Sequence, residues 1–199
     1  MTIKLIGIGN GGCNIIDDIR KDEFYTDAQF VYCDYEACDL SKHGRDYDCR
    51  FQLNLEQPNV FSFADERTDL TIIASTLGGL ATSRFSAQIT EACKKSSKMV
   101  LGALTLPFEW EGNLFLREAK QTLEVLKPLY DAILIQDNGK LPKGINVTMM
   151  NMYLCSSLKK ICMALKEPHV EELNNLSETD AVFIDFSVDF LCRIVQNQR

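Results

Sequence analysis

Short apolar runs and longer apolar stripes alternate along this chain. Residues 3–8, Ile-Lys-Leu-Ile-Gly-Ile, form the β-branched run expected of a strand buried on both faces. Ile15, Ile16 and Ile19 follow at helical spacing, which predicts a first helix to about residue 20. A second strand is predicted over 30–33, with Asp34 at its C-terminal end. Residues 41–57 are charged and weakly periodic, with a short strand at 50–53, and 59–67 reads as a short helix. Strands at 70–74, 99–106 and 132–135 then alternate with helices at 82–96 and 111–126. The first of these helices carries Phe85, Ile89 and Cys93 on one stripe; the second carries Leu114, Ala119, Leu123 and Leu126. The longest stripe, Val147, Met150, Leu154, Leu158, Ile161, Cys162 and Leu165, runs until Pro168 ends it. Beyond it, Phe183, Phe186 and Phe190 predict the inner face of a C-terminal amphipathic helix, with Asp185 and Asp189 on its polar side.

This alternation predicts an α/β fold built on a doubly wound, mostly parallel, Rossmann-like sheet. A length of 199 residues suits a single domain over 1–199. Its sheet and helices extend through 166, a helical extension covers 167–199, and no second domain is expected. A hydrophobic content of 46% and a charged content of 25% describe a soluble globular protein. The net charge of -7 excludes general nucleic-acid binding, because no basic stripe displaces counterions from a phosphate backbone. It leaves room for a nucleotide, which needs only local backbone donors. No signal peptide opens the chain and no apolar run is long enough to span a bilayer. A cytoplasmic location without a membrane partner is expected. The eight cysteines contain no C-x-x-C pair, Cys33, Cys38 and Cys49 lack a specific ligand spacing, and there are only two histidines. Reduced thiols are therefore expected, and no metal site.

After the first strand, Gly7, Gly9, Gly11 and Gly12 let the backbone turn sharply and approach a ligand without an intervening Cβ. Strand, glycine turn and helix together gather backbone N–H groups at a positive helix end, an anion site suited to phosphate. The bland alternative is a tight turn that binds nothing. Gly7, Gly9, Gly12 and Asp34 also fit a Rossmann dinucleotide fingerprint. The first forty residues alone do not separate a nicotinamide or flavin site from another nucleotide site. A second glycine turn at 76–79, the segment 107–112 and Asn138 all fall at the C-terminal ends of predicted strands, where doubly wound sheets bind ligands.

Past the second glycine turn the chain resembles the GTP-binding domain of the tubulin/FtsZ family. Residues 3–14 look like that family's first phosphate loop. Residues 73–84, Ile-Ala-Ser-Thr-Leu-Gly-Gly-Leu-Ala-Thr-Ser-Arg, stand where its G-G-G-T-G-[ST]-G signature belongs. Thr105-Leu-Pro-Phe-Glu-Trp-Glu-Gly112 is similar to the T-x-P-F-x-x-E-G segment that contacts the sugar. Residues 131–141 look like the strand and turn carrying a guanine-contacting Asn. Order and spacing agree through about residue 165, with a shortened region at 41–65. The resemblance implies nucleotide contacts from Gly9, Asn10, Gly11, Gly12, Cys13, Asn14, Asp34, Gly78, Gly79, Thr82, Glu111, Asn138 and Asn151. It implies GTP or GDP as ligand, magnesium only alongside a bound nucleotide, and a role in cell division. It also implies association with itself or with a filament-forming FtsZ-like relative.

The departures from that pattern bear on activity. Leu80 and Arg84 place side chains where backbone should meet phosphate, which favours a crowded loop over a cation supplied by Arg84. Met152 replaces a base-contacting Asp beside the retained Asn151, and Phe115 replaces an Arg. Of the N-x-D-x-x-D catalytic loop only Asp185 stays in register, a weak catalytic candidate. The family's second α/β domain has no counterpart within these residues. The leading expectation is a divergent guanine-nucleotide-binding protein with weak or no GTP hydrolysis. The alternative is a non-catalytic interaction module with a degenerate pocket. A Rossmann dinucleotide enzyme would leave 107–112 and Asn138 unexplained. If the glycine loop holds phosphates, valine at both Gly11 and Gly12 is expected to abolish binding and leave the fold intact.

Overall fold

The computed structural model describes residues 1–166 and 182–186. Its strands are β1 (Ile3–Ile8), β2 (Gln29–Asp34), β3 (Cys49–Gln52), β4 (Thr68–Thr76), β5 (Ser97–Leu106), β6 (Ala132–Asp137) and β7 (Val182–Phe186). They form one seven-stranded sheet in the order β3-β2-β1-β4-β5-β6-β7. β1 to β6 are parallel, and β7 closes one edge antiparallel to β6. The α-helices are α1 (Gly9–Ile19), α2 (Ala37–Leu40), α3 (Leu80–Lys94), α4 (Asn113–Leu126) and α5 (Val147–Lys166). The chain winds outward from β1 to β3, then restarts on the other side of β1 with β4. That reversal opens a crevice above the C-terminal ends of β1 and β4.

Two cores sandwich the sheet, and the period-two alternation of strand side chains decides which residue enters which. Leu5, Ile72, Leu101 and Leu134 join Ile16, Leu154 and Leu158 under α1 and α5. Ile6, Ile73, Val100 and Ile133 join Phe85, Ile89 and Leu123 under α3 and α4. Covering both faces is what makes the central strands read as unbroken apolar runs. The predicted stripe of α4 holds from Ala119 onward, but Leu114 is 55% exposed. Val147, at the start of α5, is exposed as well.

The sequence expectation fails in three places. The helix expected over 59–67 is only a 3-10 turn at Ser62–Ala64. Local side-chain bonds win there: Asn54 Oδ1 accepts from the Glu56 and Gln57 amides, and Asn59 Oδ1 accepts from the Asn54 amide. Phe61 and Phe63 turn onto Phe51 instead of forming a helical stripe. Second, α1 begins at Gly9, so its first turn includes the glycine segment. Third, residues 182–186 are a strand and not part of an amphipathic helix. Val-Phe-Ile-Asp-Phe is β-branched and aromatic, and it pairs with the edge of β6, with Ile184 opposite Leu134 and Asp185 opposite Ile133. The roles expected for Pro168, Asp189, Phe190 and the rest of the helical extension lie outside the described residues.

Ile73 lies in β4, has no exposed surface and packs beneath α3. Truncating it to alanine is expected to cost about 2–5 kcal/mol. Urea unfolding with an unchanged m-value measures this, and a loss below about 1 kcal/mol would contradict the packing described.

Candidate functional site

β1 ends at Ile8 and α1 begins at Gly9 with no intervening loop; the reversal is made at Gly9, whose φ is 72°. A side chain with a Cβ is disfavoured in that left-handed conformation. Ile8 is the N-cap of α1 and offers no capping side chain. α3 likewise begins after Gly79 with no side-chain cap. Both first turns open into a single cleft of about 270 Å3, whose walls include Gly9, Asn10, Gly11, Gly79, Leu80 and Thr82. First-turn N–H groups have no intrahelical acceptor, so two such ends facing one space attract an anion. A larger cavity of about 590 Å3 lies near the N-terminal ends of β1 and β2, around Lys4, Cys49 and Phe63. Among the described residues no α-helix begins there, and the Lys4 ammonium already donates to the Phe63 carbonyl at 2.5 Å.

The glycines also do a packing job. A Cβ on Gly12 would overlap the Ala74 carbonyl oxygen and lie 3.0 Å from its carbon and 3.1 Å from Ser75 Cα. A Cβ on Gly11 would collide with the Thr76 side chain. The expectation that valine at Gly11 and Gly12 spares the fold is therefore overturned, because the β4 backbone fills the space beside Gly12. Cys13 is buried, and its thiol faces the Gly7 carbonyl at 3.6 Å. Burial, followed by the nearby Asp34 carboxylate, pushes that thiol up to about 12.

The electrostatics of the cleft are acidic. Asp34, Asp39 and Glu111 line it, and among the described residues its lining includes no lysine or arginine. Asp34 is buried, and its Oδ1 accepts from the Tyr35 amide at 2.7 Å. Burial raises its pKa, partly offset by the Glu36 and Tyr35 amides. Glu111 accepts from the Phe108 amide at 2.8 Å. Leu77, Leu80 and Phe115 supply an apolar wall, with Phe115 packed against Gly78. Arg84 is exposed and lies off the lining.

Of the residues singled out from sequence, the cleft brings together Gly9, Asn10, Gly11, Asp34, Gly79, Thr82 and Glu111. Gly12, Cys13, Asn14, Gly78, Asn138 and Asn151 fall outside its lining. Asn138 is buried and accepts from Gln136 Nε2 at 3.0 Å, while Asn151 donates to Asp18 Oδ2 at 2.7 Å. Asp185 sits on β7, four strand positions from β1, a lateral distance of about 19 Å. Among the described residues, Glu36, Cys38 and Asp39 bring possible metal ligands within 4.8 Å of one another, Glu36 and Cys38 exposed and Asp39 half-buried; Cys33 and Cys49 are not among them.

A relay that the sequence did not suggest backs the first loop. His43 Nδ1 lies 2.7 Å from Asp17 Oδ2, and its Nε2 lies 2.9 Å from Asn10 Oδ1. Tyr32 donates to Asp17 Oδ1 at 2.7 Å, and Arg20 donates to the Tyr32 hydroxyl and to Asp48. His43 falls in the weakly periodic stretch 41–57, where no local spacing ties it to Asn10.

No family model matches the chain. The FtsZ of Neisseria gonorrhoeae is 28% identical over 172 residues, spanning 76% of this chain and 43% of that protein. The FtsZ of Aquifex aeolicus is 25% identical over 203 residues, spanning 93% of this chain and 54% of that protein. Among solved structures, CetZ2 from Haloferax volcanii, in a GTPgS-bound protofilament, is similar with a TM-score of 0.68. That likeness comes at 17% identity and covers 90% of this chain and 64% of the other. This is an FtsZ-like domain with the tubulin/FtsZ fold. The FtsZ-like chain spans about half the length of these curated relatives. Among its described residues no helix is long and apolar enough to cross a membrane.

Valine at Gly12 is expected to destabilise the FtsZ-like domain by about 3 kcal/mol or to prevent folding. Thermal unfolding of Gly12→Val measures this, and a wild-type midpoint would contradict the close approach to β4.

Proposed function

We propose that this FtsZ-like domain binds a guanine nucleotide by its phosphates in the cleft between α1 and α3, and hydrolyses it slowly or not at all. The observation that carries this is the convergence of two uncapped helix N-termini on one cleft at the reversal point of the sheet. The backbone N–H groups of 9–11 and 79–82 are the donors. The acidic wall formed by Asp34, Asp39 and Glu111 repels a bare polyphosphate. A nucleotide arriving as its magnesium complex carries compensating charge, so these residues suit the complex better than the free anion. The named relatives are cell-division proteins, which supports a role of that kind here.

Base choice is expected to be weak. Asn138 and Asn151 are committed to Gln136 and Asp18, and the Met152 thioether cannot accept from guanine N–H groups as a carboxylate would. Losing a charge-assisted bond forfeits about 1.5–3 kcal/mol, or roughly ten- to a hundredfold in affinity. Hydrolysis needs a positioned water and stabilised charge. Asp185 is remote from the cleft, while Leu80 and Phe115 put apolar surface on its wall. A second reading, an interaction module working through the same face, is favoured by apolar exposure at the rim. Trp110, next in sequence to Glu111 of the lining, is 79% exposed and stacks on Phe108, and the lining residues Leu80 and Phe115 are exposed as well.

Isothermal titration with GTP, GDP, ATP and NAD, with magnesium and with a chelator, tests the proposal. GTP and GDP are expected to bind, more weakly without magnesium, with a GTP-to-ATP ratio below about a thousand. Binding of none of them, or a preference for NAD, would overturn it. Phosphate release per molecule that climbs with protein concentration, alongside pelletable polymer, would contradict the slow-hydrolysis part.

A further inference from the structure

His43 is only 5% exposed and is held on every side. From α1, Asp17 faces Nδ1 and Asn10 faces Nε2. From β2, the Tyr32 ring stacks on the imidazole with centroids 6.1 Å apart and planes 6° from parallel. From β3, Arg50 donates to the His43 carbonyl at 2.7 Å, and Arg20 and Asp48 complete the charges behind Tyr32. Asp17 already accepts from the Tyr32 hydroxyl at 2.7 Å and from the Gly44 amide at 3.3 Å. Its carboxylate can only accept, so Nδ1 carries a hydrogen.

The state of Nε2 then decides which end of the Asn10 amide faces the cleft. With both ring nitrogens protonated, Nε2–H donates to Asn10 Oδ1 and leaves the Asn10 NH2 group for the cleft. With Nε2 bare, the favourable partner is the Asn10 NH2, so the amide turns over and presents its oxygen to the cleft. A phosphate oxygen can only accept. It is attracted by the first arrangement and repelled by the second. Among the described residues no lysine or arginine lines this cleft, so a protonated His43, paired with Asp17, would be a cation next to the first loop.

We propose that His43 is a positioning residue for the phosphate site, that it orients the Asn10 amide, and that phosphate binding takes up a proton there. This rests on the cleft being a phosphate site, so its test has an arm without ligand. In 15N-labelled wild-type protein, NMR through a pH titration is expected to show both His43 ring nitrogens protonated on the acid side. The Asn10 side-chain amide signals should move with the same midpoint as the ring. Signals that ignore the His43 titration would overturn the proposal whatever the protein binds.

The second arm titrates GDP, and separately inorganic pyrophosphate, calorimetrically in buffers of differing ionisation heat. Wild-type protein is expected to take up protons and to lose about tenfold in affinity as His43 deprotonates. His43→Gln retains an N–H donor within reach of Asn10 but cannot titrate, so its affinity should respond to pH only through the ligand's own phosphate. Asn10→Ala should bind more weakly and lose the same component. An unchanged pH response in His43→Gln overturns the proposal. Absence of GDP binding at any pH, with Asn10 still following His43, keeps the orienting role and rejects the phosphate reading.

Discussion

The contact on which the rest of this molecule depends is the one between the first turn of α1 and the last residues of β4. Gly12 lies against the Ala74 carbonyl and Gly11 against the Thr76 side chain, at distances that admit no Cβ. This approach lets the helix start directly at the end of β1, with its N-terminus uncapped and aimed over the sheet. It also fixes the position of Thr76, from which the chain turns through Gly78 and Gly79 into α3. One close contact thus sets two helix ends side by side. The reversal of strand order at the same place keeps the space above them open.

Around that frame, backbone and side chains play different parts. The end at Gly9 and Gly79 is made of helix starts and glycine and needs few particular side chains. Asn138 and Asn151, which lie outside the cleft lining, are engaged with Gln136 and Asp18. The cleft is lined by carboxylates and apolar groups, Asp34, Asp39 and Glu111 together with Leu80 and Phe115. Such a cleft favours a ligand that brings its own counter-charge over one that relies on protein cations.

Much of the fold was legible because burial on both faces leaves a strong local trace. The run at 3–8 and the stripe from Met150 to Leu165 needed only spacing to be read, and both stand where expected. β7 does not show in the sequence because Phe183 and Phe186 fit a helical period when taken alone, and only the edge of β6 makes them a strand. The helix expected at 59–67 lost to hydrogen bonds made by Asn54 and Asn59, which a hydrophobic pattern does not register. In the site, the glycines were legible as a turn but not as a packing contact, since Ala74 and Thr76 lie more than sixty residues away. His43 was invisible for the same reason: its partner Asn10 is 33 residues distant.

The central claim is that the paired helix ends hold the ligand's phosphates, and backbone amide mapping by NMR on adding magnesium and GDP tests it most directly. The largest shifts are expected at the amides of Gly9, Asn10 and Gly11 and across 79–82, with little change near Lys4 and Phe63. Shifts centred on the cavity around Lys4, Cys49 and Phe63, or no shift at either helix start under saturating GDP, would contradict the account.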